Sequence, residues 1–133
     1  MLKFIRLKCR VHCYATEDLE KVKQSVENIL NGVKFSVKET KMAGHYGDVI
    51  YALEYGVLNE SEVASVFKKI LSQLGVGVLG VEQKSPQTGK FHIRLDKQKA
   101  FKGEIAAEDV DPVKMEFSYE GDWREVFRWV EST

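Results

Sequence analysis

The sequence contains no long uninterrupted apolar run, and Lys3, Arg6, Lys8 and Arg10 break its first ten residues at regular intervals. This pattern speaks against a secretory leader and against a membrane span, so the expected location is cytoplasmic. Cysteine is scarce. Cys9 and Cys13 are the only two, and four residues along a strand separate them by about 13 Å, beyond the reach of a disulfide. They read as small core residues of a reducing compartment. Net charge is also absent, with 20 basic and 20 acidic residues, which removes bulk electrostatics as a reason to bind a polyanion. HExxH, Walker and nucleophile-elbow patterns are missing. The GVGVLG run at 75–80 follows a helical pattern and lacks the spacing of a dinucleotide loop. With no internal repeat and no linker in 133 residues, a single domain over 1–133 is expected.

The charge that is present is segregated. Between positions 84 and 103, Lys84, Lys90, Arg94, Lys97, Lys99 and Lys102 face the single acid Asp96, whereas 104–133 is strongly acidic. A neutral chain can therefore present a positive face and a negative one. From Lys3 to Tyr14, Ile5, Leu7, Cys9, Val11 and Cys13 alternate with Arg6, Lys8, Arg10 and His12. That is a strand with a buried side and a cationic side, its cations about 6.5 Å apart along the chain.

A helix capped by Thr16 is expected next, with Leu19, Val22, Val26, Ile29 and Leu30 as its apolar stripe and Asn31-Gly32 as its end. A second strand is expected to turn Val33, Phe35 and Val37 inward and Lys34, Ser36 and Lys38 outward. Residues 40–48 read as an irregular loop in which Gly44 and Gly47 bracket His45 and Tyr46. Val49–Leu58 reads as a strand, and a helix starting at Asn59 or Ser61 carries Val63, Val66, Phe67, Ile70, Leu71 and Leu74. A hairpin over Val81–Leu95 turns around Pro86, Thr88 and Gly89. A short helical turn or loop at Lys97–Phe101 precedes the last strand, Val113–Glu120. A terminal helix capped by Asp122 carries Trp123, Val126, Phe127, Trp129 and Val130, and its ring content suits firm docking, either on its own chain or on a partner. The expected architecture is α+β, a two-layer sandwich of a mostly antiparallel sheet with two long helices on one face and a short C-terminal helix. The other sheet face is left basic and open.

Catalytic chemistry is thin. His12, His45 and His92 are far apart in sequence, and the two cysteines point away from His12, which weakens a zinc site. No metal or cofactor is expected. A hydrolase would need Asp96, Asp109 and Asp111 to converge in one pocket.

The segments ATEDLEKV at 15–22, GHYGDVI at 44–50 and RLDKQKAFKGE at 94–104, followed by Asp111-Pro112, resemble an archaeal family of RNA-binding proteins described as predicted exosome subunits. The most specific of these is the pattern formed by Asp96, Lys97, Gln98 and Ala100. The resemblance implies a compact fold similar to the large-subunit ribosomal protein that holds 5S RNA, and it implies RNA binding. Its candidate partners are RNA, a second copy of the chain and an RNA-processing complex. Asp48 stands where the family carries an asparagine, which removes a neutral donor and adds a charge to the loop.

The residues expected to touch RNA are Arg6, Lys8, Arg10, Lys34 and Lys38 from the sheet face, Arg94, Lys97, Lys99 and Lys102 from the basic segment, and His45 and Tyr46 from the loop. The competing reading is a protein-assembly module that dimerises through the open sheet face.

Overall fold

In a computed structural model that describes residues 2–44 and 46–128, six strands form one antiparallel sheet in the order β2-β3-β1-β6-β5-β4. The strands are β1 Lys3–Cys13, β2 Ser36–Ala43, β3 Val49–Val57, β4 Gly80–Ser85, β5 Thr88–Leu95 and β6 Val113–Glu120. Helices α1 Leu19–Leu30 and α2 Glu60–Leu74 pack on one face, and the short α3 Lys97–Phe101 docks on α1. This is the expected two-layer α+β arrangement.

One parity of each central strand makes the core. Leu7, Cys9, Val11 and Cys13 of β1, Leu53, Tyr55 and Val57 of β3, and Met115, Phe117 and Tyr119 of β6 are buried beneath Val22, Val26, Ile29, Val63, Phe67 and Ile70 of the helices. Phe67 lies 4.7 Å from Phe4, 5.0 Å from Phe117 and 5.1 Å from Phe91, ring centre to ring centre, so one helix residue gathers three strands. The opposite parity has no layer above it and carries the polar side chains.

Several local expectations are corrected. The register of β1 shifts between Phe4 and Arg6, so Phe4 takes the inward place expected of Ile5. Asp18 rather than Thr16 caps α1, its carboxylate accepting from the backbone N–H of Glu20 and Lys21. The second strand starts at Ser36 and runs through Ala43, so Val33, Lys34 and Phe35 precede it and Thr40–Ala43 belong to the sheet. It is an edge strand, and Val37 stays half exposed. The β4–β5 turn is the pair Pro86-Gln87, with Thr88 and Gly89 already in β5.

At the C-terminus, Asp122 caps a turn at Trp123–Glu125, and Val126 is fully buried in the core of its own chain. Trp129 and Val130 lie outside the described residues. Both cysteines are free and buried, and burial pushes the Cys9 thiol well up from its ordinary range. Among the described residues no helix is long and apolar enough to cross a membrane.

Candidate nucleic-acid interface

The strand register builds the open face. Lys38 of β2 stands opposite Glu54 of β3, Glu54 opposite Arg10 of β1, Arg10 opposite Lys114 of β6, and Lys114 opposite Arg94 of β5. These five residues form one row across five strands, with neighbours about 4.8 Å apart, and four of the five are cations. Arg10 donates to Glu54 at 3.1 Å, and Arg94 approaches Asp109 at 4.0 Å. Among the described residues, Lys38 and Lys114 hold no salt bridge, and neither do Arg6 and Lys8 lower on β1. Lys114 escaped the sequence reading, although its place between inward Val113 and Met115 already turned it outward.

The same face is self-neutralised toward β4. Lys90 donates to Glu116 at 3.1 Å, while Glu82 takes Lys84 at 2.6 Å and His92 at 2.9 Å. The hydrogen bonds from Lys84 and His92 hold the Glu82 carboxyl down at about 2. Glu82, His92 and Glu116 bring three ligand atoms within 4.8 Å of one another, which makes them the one group among the described residues able to gather around a metal ion. That grouping comes from strand pairing across β4, β5 and β6.

At the other end of the face lies a cleft of about 630 Å³, lined among others by Arg10, His12, Tyr14, Lys38, Asp111 and Lys114. The His12 and Tyr14 rings are 6.2 Å apart at 46°. They were separable from sequence only as residues two apart on one strand parity. A smaller hollow beyond Tyr14 is lined by Thr16, Gly44, Tyr46, Asp48 and Ile50. Expected Tyr46 therefore stands beside the cleft, at the tip of the β2–β3 hairpin and 88% exposed. Gly44 and Asp48 close that tip through a backbone hydrogen bond, and Gly47 has φ 81°, which favours glycine. His45 lies outside the described residues.

The basic segment is split by the fold. Lys97 is 6% exposed and donates to Asp111 at 2.7 Å, to Glu17 at 2.9 Å and to the His12 carbonyl at 2.8 Å. Burial pulls its pKa down, but the bonds to Asp111 and Glu17 outweigh that and raise it. With all three ammonium donors occupied, Lys97 has none left for a phosphate, which argues against the expected contact with RNA at this residue. Lys99 and Lys102 are exposed, but α3 belongs to the helix layer, where Asn28 of α1 donates to the carbonyls of Ala100 and Phe101. Lys34 sits before β2, its backbone N–H held by Glu62 at the start of α2. These three cations stand apart from the row formed by Lys38, Arg10, Lys114 and Arg94.

The acids tested for hydrolysis are individually engaged. Asp96 caps α3 through the N–H of Lys99, Asp111 binds Lys97, and Asp109 faces Arg94. Asp111 adopts φ 47°, a left-handed conformation that aspartate tolerates better than most residues.

The fold and its open face define an α+β module with a cleft of mixed charge, bearing two rings, at one end of the polar sheet face. The chain matches the RNA-binding family over residues 6–119 and belongs to it. It is 30% identical over 123 residues to RNA-binding protein PAB1135 of Pyrococcus abyssi, a match covering 80% of this chain and 75% of that protein. Among solved structures, protein AF2318 from Archaeoglobus fulgidus is 26% identical, with TM-score 0.65 and 86% of each chain covered. Protein SSO0741 from Sulfolobus solfataricus shares the fold at TM-score 0.70, with 22% identity over 96% of this chain and 98% of that one.

Proposed function

We propose that this chain, a single module over residues 1–133, binds RNA by laying the phosphate backbone across the uncovered sheet face. The observation that carries the reading is the cross-strand row of Lys38, Arg10, Lys114 and Arg94, in which Lys38 and Lys114 hold no salt bridge among the described residues. Arg6 and Lys8 continue the cationic surface along β1. Cations without protein partners release bound counterions when they meet phosphates, which is the main source of affinity for a polyanion. Family membership and the name of the Pyrococcus abyssi relative support RNA as that polyanion. Tyr46 of the hairpin tip extends the proposed contact beyond the phosphates, and His45, which lies outside the described residues, is proposed as a contact with it. Lys99 and Lys102 are left as a secondary cationic site on the helix layer.

The test is binding of the full chain to short single-stranded RNA, hairpin RNA and duplex DNA across a range of salt. Affinity for RNA that falls steeply with salt supports the reading. Flat curves for all three ligands would sink it.

A homodimer through the same open face would set Arg6, Lys8, Lys38 and Lys114 against a second copy of themselves, which disfavours that arrangement unless acids answer them. Light scattering with and without RNA separates the two uses of the face. Association with an RNA-processing complex is a proposal about partners, tested by pull-down with purified exosome. The buried free thiols of Cys9 and Cys13 support a reducing, cytoplasmic location.

A further inference from the structure

The cleft at the end of the face differs from the rest of the interface in having rings as well as cations. Arg10, Lys38 and Lys114 supply positive charge, set against the carboxylates of Glu54, Asp109 and Asp111 that also line the cleft, and His12 and Tyr14 supply aromatic surface. Its volume, about 630 Å³, lies in the range that encloses small organic ligands.

The cleft is also held rigid from below. Glu17 Oε1 accepts from the backbone N–H of Tyr14 at 3.1 Å and from Lys97 Nζ at 2.9 Å, and the N–H of Glu17 donates back to the Tyr14 carbonyl at 2.9 Å. Lys97 reaches the His12 carbonyl and Asp111 as well, so one buried ammonium fixes the backbone under both rings and the opposite wall. Its charge also lies 5.5 Å from the centre of the Tyr14 ring. A backbone-only binding surface has no need of this arrangement. A site that seats a planar group does, because a stacking ring contributes most when its position is already set.

We infer that this cleft takes one unpaired nucleotide of a bound RNA, with its base against Tyr14 and His12 and its phosphate on Lys38, Arg10 or Lys114. The inference rests on the RNA-binding reading and narrows it to RNA with a free or unstacked base. In a duplex the two faces of each base are covered by its neighbours, so the ring surface is open only to single strands, bulges and ends. Lys97 is a positioning residue in this scheme, acting through Glu17, His12 and Asp111 without touching the ligand.

The experiment compares a short single-stranded RNA with a blunt RNA duplex of equal length, using the full chain and its Tyr14→Ala, Tyr14→Phe and His12→Ala variants. Tyr14→Ala is expected to weaken single-strand binding by about 5- to 100-fold, to leave the salt slope unchanged, and to change duplex binding by less than about twofold. Tyr14→Phe retains the stacking surface and should bind as the unaltered chain does.

Because Tyr14→Ala touches the Lys97 network, ring resonances of Tyr14 and His12 are followed by NMR in the unaltered chain as each RNA is added. Shifts with the single strand and none with the duplex are expected. Equal losses on both RNAs, or ring resonances that respond equally to both, would overturn the nucleotide site while leaving backbone binding in place. No binding of either RNA by the unaltered chain would overturn both readings.

Discussion

On the β4–β5 side of the open sheet, Lys90 is spent on Glu116, and Lys84 and His92 are spent on Glu82. On the β2–β3–β1–β6 side, Lys38 and Lys114 stand in the same kind of strand position, yet they hold no salt bridge among the described residues. The two sides differ less in how many cations they carry than in how many of those cations are bonded to a carboxylate. A lysine already bonded to a carboxylate has its counterion in place, and a phosphate must displace that carboxylate before it gains anything. Standing opposite a glutamate is not enough, since Lys38 faces Glu54 but Glu54 bonds Arg10. Cationic sequence is therefore a poor guide to cationic availability. The ion pairs that form in the folded sheet decide it.

The largest effect is expected beneath the available side. Replacing Lys97 by methionine leaves Glu17 and Asp111 without their shared cation, and unfolding in denaturant should show a loss of about 3 kcal/mol or more. The same network predicts a pH dependence. The pKa of Lys97 is raised in the folded chain, so its contribution is complete below the ordinary lysine value of about 10.4 and is lost as pH rises through the higher folded value. A Lys97→Met variant as stable as the parent would show that this ammonium does not brace the cleft.

The comparison itself is tested by two multiple variants. Arg10→Ala with Lys38→Ala and Lys114→Ala should reduce RNA affinity about 100-fold or more at low salt and lower the salt slope by about two. Lys84→Ala with Lys90→Ala should change affinity by less than about threefold, because both lysines are already neutralised. Equal effects of the two sets would erase the distinction between the sides.

A smaller effect belongs to the paired side. Glu82 is held down at about 2 and Glu116 is also lowered, the bond from Lys90 outweighing the burial that pushes the latter up. A carboxylate lowered on folding stabilises the chain above its unfolded value, about 4.3, and that contribution is lost as pH falls toward the folded value. Thermal melting between pH 5 and pH 2 should therefore flatten when Glu82 is replaced by glutamine, with pH values set by those two limits. The smallest change is expected for Lys99→Ala with Lys102→Ala, under about twofold in RNA affinity. A loss matching that of the row variant would return α3 to the main interface.

Much of the fold was legible because it depends on local periodicity. The alternation from Leu7 to Cys13, the stripes of α1 and α2, and the limits of β6 are each set by residues that one face must bury. Misreadings fell where a distant element decided. Val37 has the right parity for burial, but it lies on an edge strand and stays half exposed. Ile5 lost its inward place to a register shift created by pairing with β6.

The site divided along the same line. Arg6, Lys8, Arg10 and Lys38 were readable as outward cations from alternation alone. Lys97 was not, because nothing in the run of lysines from 97 to 102 marks the one whose Nζ would meet Glu17, 80 positions earlier, and Asp111 on the following loop.

By itself, the sequence determined most of the inward-facing side chains, where the helices run and that the sheet has a polar parity, since these follow from short-range backbone geometry and the burial of apolar surface. Only the tertiary structure decided which of the outward cations are free. Ion pairing acts over a few ångströms between residues that the chain separates by tens of positions, and strand order alone brings those residues together or keeps them apart.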